Sequence, residues 1–224
     1  MYCRLRWTRR LSTVVDVAFE VHRPGAEEPR YVERIRAAAL RSLAAHGAAS
    51  TTMRGVAAAA GVSLGSVQHH FATKAGLIEA VDAYVLQLVT STMSKPLSEP
   101  PGDSVAEIGA RVNKLFTEQP EVAAYLGRAL GDGSPVGVQI FDTLFAAGLA
   151  RWQQRLERGE LREDVDITWA AINGLVVALG AISLRPHLDR HLSEPFIAPS
   201  QLDRWQSAVN MLLREGLFRP PPGQ

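Results

Sequence analysis

Apolar residues recur at spacings of three and four along most of the chain, as in helices that bury one face. The first such stretch runs from Val32 to Ala45, and Gly47 is expected to end it in the left-handed conformation. Two short helices follow: Thr52 caps one that runs through Ala60, and Ser63 caps another that reaches about Phe71. Gly61 permits a sharp turn between them, so the pattern predicts a helix-turn-helix.

Longer apolar stripes predict a helical body beyond this turn. Thr73 is expected to cap a fourth helix of about 20 residues, which ends at Lys95-Pro96, and the stretch to Gly102 is interpreted as a linker. Asp103 and Asp166 are predicted to cap later helices, and no alternating strand pattern of useful length is present. The sequence therefore predicts an all-α protein with an N-terminal three-helix head and a C-terminal helical bundle. The later helices are expected near residues 105–116, 122–130, 140–156, 167–184 and 200–217.

Charge is distributed unevenly, although the formal net charge is only +1. Residues 29–76 have a net charge of +5, and residues 77–224 have one of −5. A basic head on an acidic body is typical of a protein whose head binds a polyanion such as nucleic acid. The basic residues of the head, opposed by Glu33 alone, are Arg30, Arg34, Arg36, Arg41, Arg54 and Lys74.

Residues 1–29 show no clean period and contain Pro24, Gly25 and Pro29, so we interpret them as a flexible N-terminal arm. Two other interpretations stay open: an extension from a misplaced start codon, or an arginine arm that touches DNA. The domains predicted from sequence are thus this arm, a helix-turn-helix head at 30–78, and a body at 79–224.

Composition narrows the class of protein. With 46% hydrophobic and 21% charged residues, the chain resembles ordinary soluble proteins. The single cysteine, Cys3, excludes an intramolecular disulfide and fits a cytoplasmic protein. No segment reaches the roughly 20 apolar residues of a membrane span, so no membrane association is expected.

Catalytic chemistry is not indicated. The sequence offers no Ser-His-Asp arrangement, phosphate-binding glycine loop or paired carboxylates in a plausible cleft, so we expect a protein that is not an enzyme and needs no cofactor. His187, Asp189 and His191 have a spacing that could hold a metal on a helix. Pro186 disfavours a regular helix there, and we interpret them as solvated loop residues with no metal site.

The segment from Arg34 to Ala83 resembles the DNA-binding domain of TetR-family regulators. It covers about a quarter of the chain, and several spaced elements agree at once. One departure is Gln68, where the family often has a tyrosine that touches the DNA backbone. The matching residues are Thr51-Thr52-Met53-Arg54-Gly55-Val56-Ala57, Ala60-Gly61-Val62-Ser63, Gly65-Ser66-Val67-Gln68-His69-His70-Phe71, Lys74 and Leu77.

This resemblance and the chemistry of helix termini together predict the DNA contacts. Thr52 and Ser63 stand at helix starts, where phosphate binds favourably, although capping alone could explain Thr52. Lys74 opposes the dipole of its own helix, which favours an anionic partner such as phosphate over a solvated surface lysine. Arg54 is either a phosphate contact or a free surface charge. Val67 and Phe71 are expected to pack inward. The predicted DNA-binding residues are Thr52, Arg54, Ser63, Leu64, Gly65, Ser66, Gln68, His69, His70 and Lys74.

The body carries no motif, so its expected role rests on the resemblance. In the TetR family this part binds a small molecule and forms a homodimer through its last two long helices. The apolar, glycine- and alanine-rich helix near Gly174 to Ala181 must be buried on most sides, which favours packing against a second copy over burial inside one subunit. Aromatic residues that could line a ligand cavity, rather than an ordinary core, are Phe116, Tyr125, Phe141, Phe145, Trp152 and Trp169.

Two functions follow as expectations. The first is a repressor, released from a palindromic operator on double-stranded DNA by a small apolar effector. The second is a DNA-binding regulator that takes no ligand and is controlled by a partner protein.

Overall fold

The computed structural model describes residues 28–95 and 104–217, and the regular elements of these two segments are helices. The predicted arm up to residue 27, the linker at 96–102 and the Asp103 cap lie outside the described residues. The all-α expectation is confirmed. The helices are α1 (Glu28–Ser50), α2 (Met53–Ala60), α3 (Leu64–Phe71), α4 (Lys74–Met93), α5 (Ser104–Glu118), α6 (Pro120–Gly131), α7 (Pro135–Glu157), α8 (Ile167–Ser183), α9 (Arg185–Leu188) and α10 (Pro199–Leu217).

Side-chain caps determine where the second, third and fourth helices begin, as the sequence predicts. The hydroxyl oxygens of Thr52, Ser63 and Thr73 each accept a hydrogen bond from a backbone N–H three residues later, at 3.0, 3.0 and 3.1 Å. Between α2 and α3, Gly61 has φ 65°, a left-handed conformation that costs glycine little. These caps and this turn fix the helix-turn-helix.

The first helix is longer than its apolar stripe indicates. It begins at Glu28, with Pro29 in its first turn, so residues 28 and 29 are helical rather than part of the arm. Its backbone is interrupted at Gly47, which has φ 75°, as predicted for the helix end, and it continues to Ser50. A polar N-terminal turn leaves no hydrophobic period, which is why the sequence prediction began at Val32.

The long helix α4 joins head and body. Its fully buried residues repeat every four positions, so one stripe packs against α1 and α3 near its start and α7 and α5 further on. The buried residues are Leu77, Val81, Val85, Val89 and Met93.

The body is a bundle in which α7 packs against α4, α6 and α8, and α10 packs against α5. Asp166 caps α8 as predicted, accepting hydrogen bonds from Thr168 N (2.9 Å) and Trp169 N (3.1 Å). The short α9 was not predicted, since four residues are too few to show a period. None of the described helices is long and apolar enough to cross a membrane.

Head and body also meet where α6 crosses the end of α1. Arg128 Nε donates to the carbonyl of Ala44, and its Nη2 donates to that of Ala45, both at 3.2 Å. Helix carbonyls just before a break lack their usual amide partners, and a guanidinium supplies the missing donors. Arg128 thus anchors the head to the body where Gly47 interrupts α1.

Candidate nucleic-acid interface and body cavity

One side of the recognition helix α3 is buried and the other is exposed. Val67 is fully buried and Phe71 packs against the core, which confirms the inward orientation expected for both. Gly65, Gln68 and His69 are exposed, so their surfaces are open to a ligand outside the protein. The other predicted recognition-helix residues, Leu64, Ser66 and His70, are half-buried.

The helix caps keep a free donor. In Thr52 and Ser63 the hydroxyl oxygen accepts a backbone N–H, which leaves the hydroxyl hydrogen available. Both residues are exposed, and each stands at a helix N-terminus. One side chain can therefore cap its helix and donate to a phosphate at the same time.

The basic residues of the head do not share one role. Arg34 Nη2 donates to the carbonyl of Ala60 at 2.5 Å and so ties α1 to the end of α2. The guanidinium of Arg36 lies 4.3 Å from the ring centroid of Tyr84 in a cation–π contact. Charge counting from sequence could not separate such internal contacts from residues available to DNA.

Lys74 and Arg54 are more available to an external ligand than Arg34 and Arg36 are. The Lys74 ammonium lies 3.4 Å from the carbonyl oxygen of Ala49, a long hydrogen bond that leaves two of its three donors. Arg54 is exposed in the first turn of α2, and its guanidinium has no partner within the described part of the chain. Both cations lie in the first turns of their helices, Arg54 after the cap Thr52 and Lys74 after the cap Thr73.

The body contains a cavity of about 180 Å³ between α4, α5, α6, α7, α8 and α10. Of the six aromatic residues predicted to line it, Phe116 and Trp152 do. The structure places the other four, Tyr125, Phe141, Phe145 and Trp169, outside the lining of this cavity. Tyr125 instead bonds Asp82 at 2.5 Å, and Trp169 is 59% exposed. An apolar stripe predicts that a face is buried but not which neighbour buries it.

Other cavity residues escaped the sequence reasoning. Trp205 lines the cavity and stacks with Phe116 and Phe196 at centroid distances of 6.2 and 5.5 Å. Arg151, Arg155 and Gln206 also line it, and they give the apolar cavity a polar portion. Only the helix packing brings these residues together, because they come from α7 and α10.

A second apolar surface lies on the outside of the body. Large hydrophobic residues of α8, its C-cap and α10 are more than half exposed, and such apolar patches often mark interaction surfaces. The exposed residues are Trp169, Val176, Leu184, Met211 and Leu212.

The residues around α9 show other partners than a metal. Asp189 Oδ1 accepts a hydrogen bond from Phe196 N at 2.6 Å, and its other oxygen lies 3.5 Å from Arg185 Nε. Among the described residues, no group of three or more possible metal ligands comes together.

Comparison with known proteins agrees with this architecture. Residues 35–81 match the model of the bacterial regulatory proteins of the tetR family. No curated protein matches the chain.

Solved structures share the fold over most of the chain. GusR from Salmonella enterica is 25% identical, with 83% of this chain and 96% of that chain covered and a TM-score of 0.57. A putative transcriptional regulator, SCO4942 from Streptomyces coelicolor, is 17% identical over 84% and 98%, with a TM-score of 0.65. SmeT, the repressor of the Stenotrophomonas maltophilia multidrug efflux pump SmeDEF, is 20% identical over 86% and 94%, with a TM-score of 0.62.

The family model covers the helix-turn-helix whose caps and turn are described above, and the shared fold extends through the body. The helix-turn-helix at residues 35–81 therefore belongs to the tetR family of bacterial regulatory proteins, and the described chain as a whole shares the fold of solved transcriptional regulators.

Proposed function

We propose that this regulator is a homodimeric repressor that leaves a palindromic operator when a small, largely apolar effector enters the body cavity. The observation that carries the proposal is the span of α4. Its first residue, Lys74, stands beside the recognition helix, whereas Val89 and Met93 near its end line the cavity. A helix of 20 residues is about 30 Å long, so one element joins both places.

The proposed DNA contacts are the exposed groups of the head. The side chains of Ser66, Gln68 and His69 can donate to or accept from base edges, and Gly65 allows close backbone approach. Thr52, Arg54, Ser63, His70 and Lys74 would bind phosphates, and Leu64 would pack at the edge of the groove. We place the head at 30–78 and the body at 79–224, with α4 crossing that boundary.

A second copy of the chain is the proposed partner of the exposed apolar surface on α8 and α10. Burial of side chains such as Trp169 and Leu212 stabilises a dimer by removing apolar area from water. In a two-fold dimer the same surface serves both subunits. Two heads about 34–36 Å apart would then enter successive major grooves, which is why the operator is expected to be palindromic.

The cavity supports an effector over control by a partner protein. A ligand changes DNA affinity only if it binds the DNA-free conformation more tightly than the DNA-bound one. Because Val89 and Met93 belong to both α4 and the cavity wall, a ligand that moves this wall would also move the heads.

The test is filter binding of the purified protein to DNA from upstream of its own gene, at about 50–200 mM salt. Lys74→Ala is compared with Lys114→Ala, which removes an exposed lysine from the body. We expect tight, strongly salt-dependent binding by the wild type, and a salt slope reduced by about one unit per subunit in Lys74→Ala only. Absence of binding at low salt, or equal slopes for both variants, would contradict the proposal.

A further inference from the structure

The cavity wall contains positive charge but no carboxylate from the described residues. Two arginines of α7, Arg151 and Arg155, lie in this wall. Arg155 Nη1 has a counter-charge, Glu160 Oε2, at 2.9 Å. Arg151 has none within residues 28–95 and 104–217, and its guanidinium donates instead to the carbonyl oxygen of Met93.

The surroundings of Arg151 disfavour its charge. Burial lowers the pKa of Arg151, and the nearby guanidinium of Arg111 lowers it further. Glu107 pairs with Arg111 at 2.7 Å. A partly buried charge whose partner among the described residues is a carbonyl gains much from an added anion.

We propose that the effector is an amphipathic carboxylate whose carboxyl group pairs with Arg151 and whose apolar part occupies the cavity. This inference rests on the proposed function, since it names the ligand class of the same cavity. The planar guanidinium has five N–H donors and matches a carboxylate in a two-bond pair, so its contact with Met93 leaves donors for the ligand.

The size and lining of the cavity determine which apolar group the ligand can carry. A dry cavity of about 150 Å³ holds benzene, so about 180 Å³ accommodates an aromatic ring or a short alkyl chain. Phe116 and Trp205 supply flat aromatic surface, and Val112 and Leu144 supply aliphatic surface. An aryl-substituted short-chain carboxylate fits this combination of shape and charge.

Isothermal titration calorimetry at pH 7 with three probes of the same skeleton tests the inference: 3-phenylpropanoate, 3-phenylpropan-1-ol and 3-phenylpropan-1-amine. They are respectively anionic, neutral and cationic. We expect the wild type to bind the anion about 10- to 100-fold more tightly than the alcohol, as charge-assisted hydrogen bonds allow, and to bind the amine most weakly.

Variants of Arg151 and Gly174 test whether the preference for the anion arises in this cavity. Arg151→Met should reduce affinity for the anion about 10- to 100-fold and change affinity for the alcohol less than about twofold. Arg151→Lys should keep part of the preference for the anion. Gly174→Leu should weaken all three probes, because Gly174 lines the cavity and, apart from its chain neighbours and its own helix backbone, no heavy atom lies within 4 Å of where its Cβ would be, so a leucine has room to occupy ligand space.

Equal binding of the three probes by the wild type, or no binding of any, would overturn the inference even if Arg151→Met fails to fold. Neither result bears on operator binding, which is measured without ligand. Failure of the proposed function would appear separately, as absence of operator binding by a protein that still prefers the anion.

Discussion

The phenolic hydroxyl of Tyr125 in α6 donates a 2.5 Å hydrogen bond to Asp82 Oδ1 in α4. Tyr125 is 8% exposed, so the bond satisfies a polar group at the boundary of the body core. Asp82 lies midway along the helix that begins at Lys74 and ends at the cavity. This pair fixes the middle of α4 against the body, while Arg128 fixes the end of α1.

Removing the Tyr125 hydroxyl should destabilise the protein. Tyr125→Phe keeps the ring but leaves Asp82 without this donor, so we expect the free energy of unfolding to fall by about 1–3 kcal/mol. Urea denaturation followed by circular dichroism measures the change. Tyr84→Phe is the matched control on α4, since the Phe ring retains the cation–π contact with Arg36. An unchanged midpoint for Tyr125→Phe would contradict the role given to the bond.

Stability should also depend on pH through Asp82. Burial raises the pKa of Asp82 above its ordinary 3.8, the Tyr125 hydrogen bond opposes this rise, and Glu79 adds to it. The folded state therefore binds this proton more tightly than the unfolded state. The contribution of Asp82 is fully present below pH 3.8 and is lost as pH rises through the folded pKa.

The variant Asp82→Asn cannot ionise and should lack this component. We expect the wild-type free energy of unfolding, relative to that of Asp82→Asn, to decline as pH rises from 3.8. Urea titrations at several pH values measure it. Asp142→Asn, which neutralises an exposed carboxylate on α7, controls for the change in net charge. A relative stability that rises with pH would show that the sign is wrong.

A charge in the exposed apolar surface should prevent dimerisation. Val176 on α8 is 56% exposed and Val138 on α7 is 51% exposed, so each can be changed to Glu with similar cost in a single chain. We expect Val176→Glu to be monomeric and Val138→Glu to remain dimeric, because only the first would bury an unpaired charge between subunits. Light scattering after size exclusion gives the mass. If both variants form dimers, the interface does not include the surface around Val176.

Loss of Arg128 should loosen the end of α1. In Arg128→Met the carbonyls of Ala44 and Ala45 lose their guanidinium donors, so amides at residues 47–51 should exchange with solvent faster. Hydrogen exchange with mass spectrometry reports this locally. Arg41→Met, also on α1, removes an exposed arginine that makes no hydrogen bond to described residues and should leave the exchange unchanged. Equal protection in both variants would remove Arg128 as an anchor.

Local features were predictable from sequence because they depend on neighbours in the chain. Thr52, Ser63 and Thr73 bond amides three residues away, and Gly61 adopts the conformation that its lack of a side chain permits. The surface position of Gln68 and His69 also follows from the helical period. Val67, which precedes them in α3, faces the core, so the two residues after it turn away from the core.

Long-range features were not predictable in this way. Arg128 and Ala44 are 84 residues apart, and nothing near either one marks the other. Tyr125 belongs to an apolar stripe of the sequence, from which we expected it to line a cavity. In the structure its hydroxyl instead donates a hydrogen bond to Asp82 on another helix. The cavity arginine Arg151 lies within the helix predicted near residues 140–156. Hydrophobic periodicity identifies the apolar positions of such a helix but does not show that a charged side chain beside them lines a cavity.

The placement of the tryptophans gives the protein two separate built-in optical reporters. Trp152 and Trp205 line the cavity, so occupancy by a ligand would change the polarity and quenching of their emission. Trp169 lies instead on the exposed apolar surface of α8, and assembly would shift its emission to shorter wavelength by removing water. With Trp169→Phe, the remaining fluorescence of the described residues would report the cavity alone, without any attached dye.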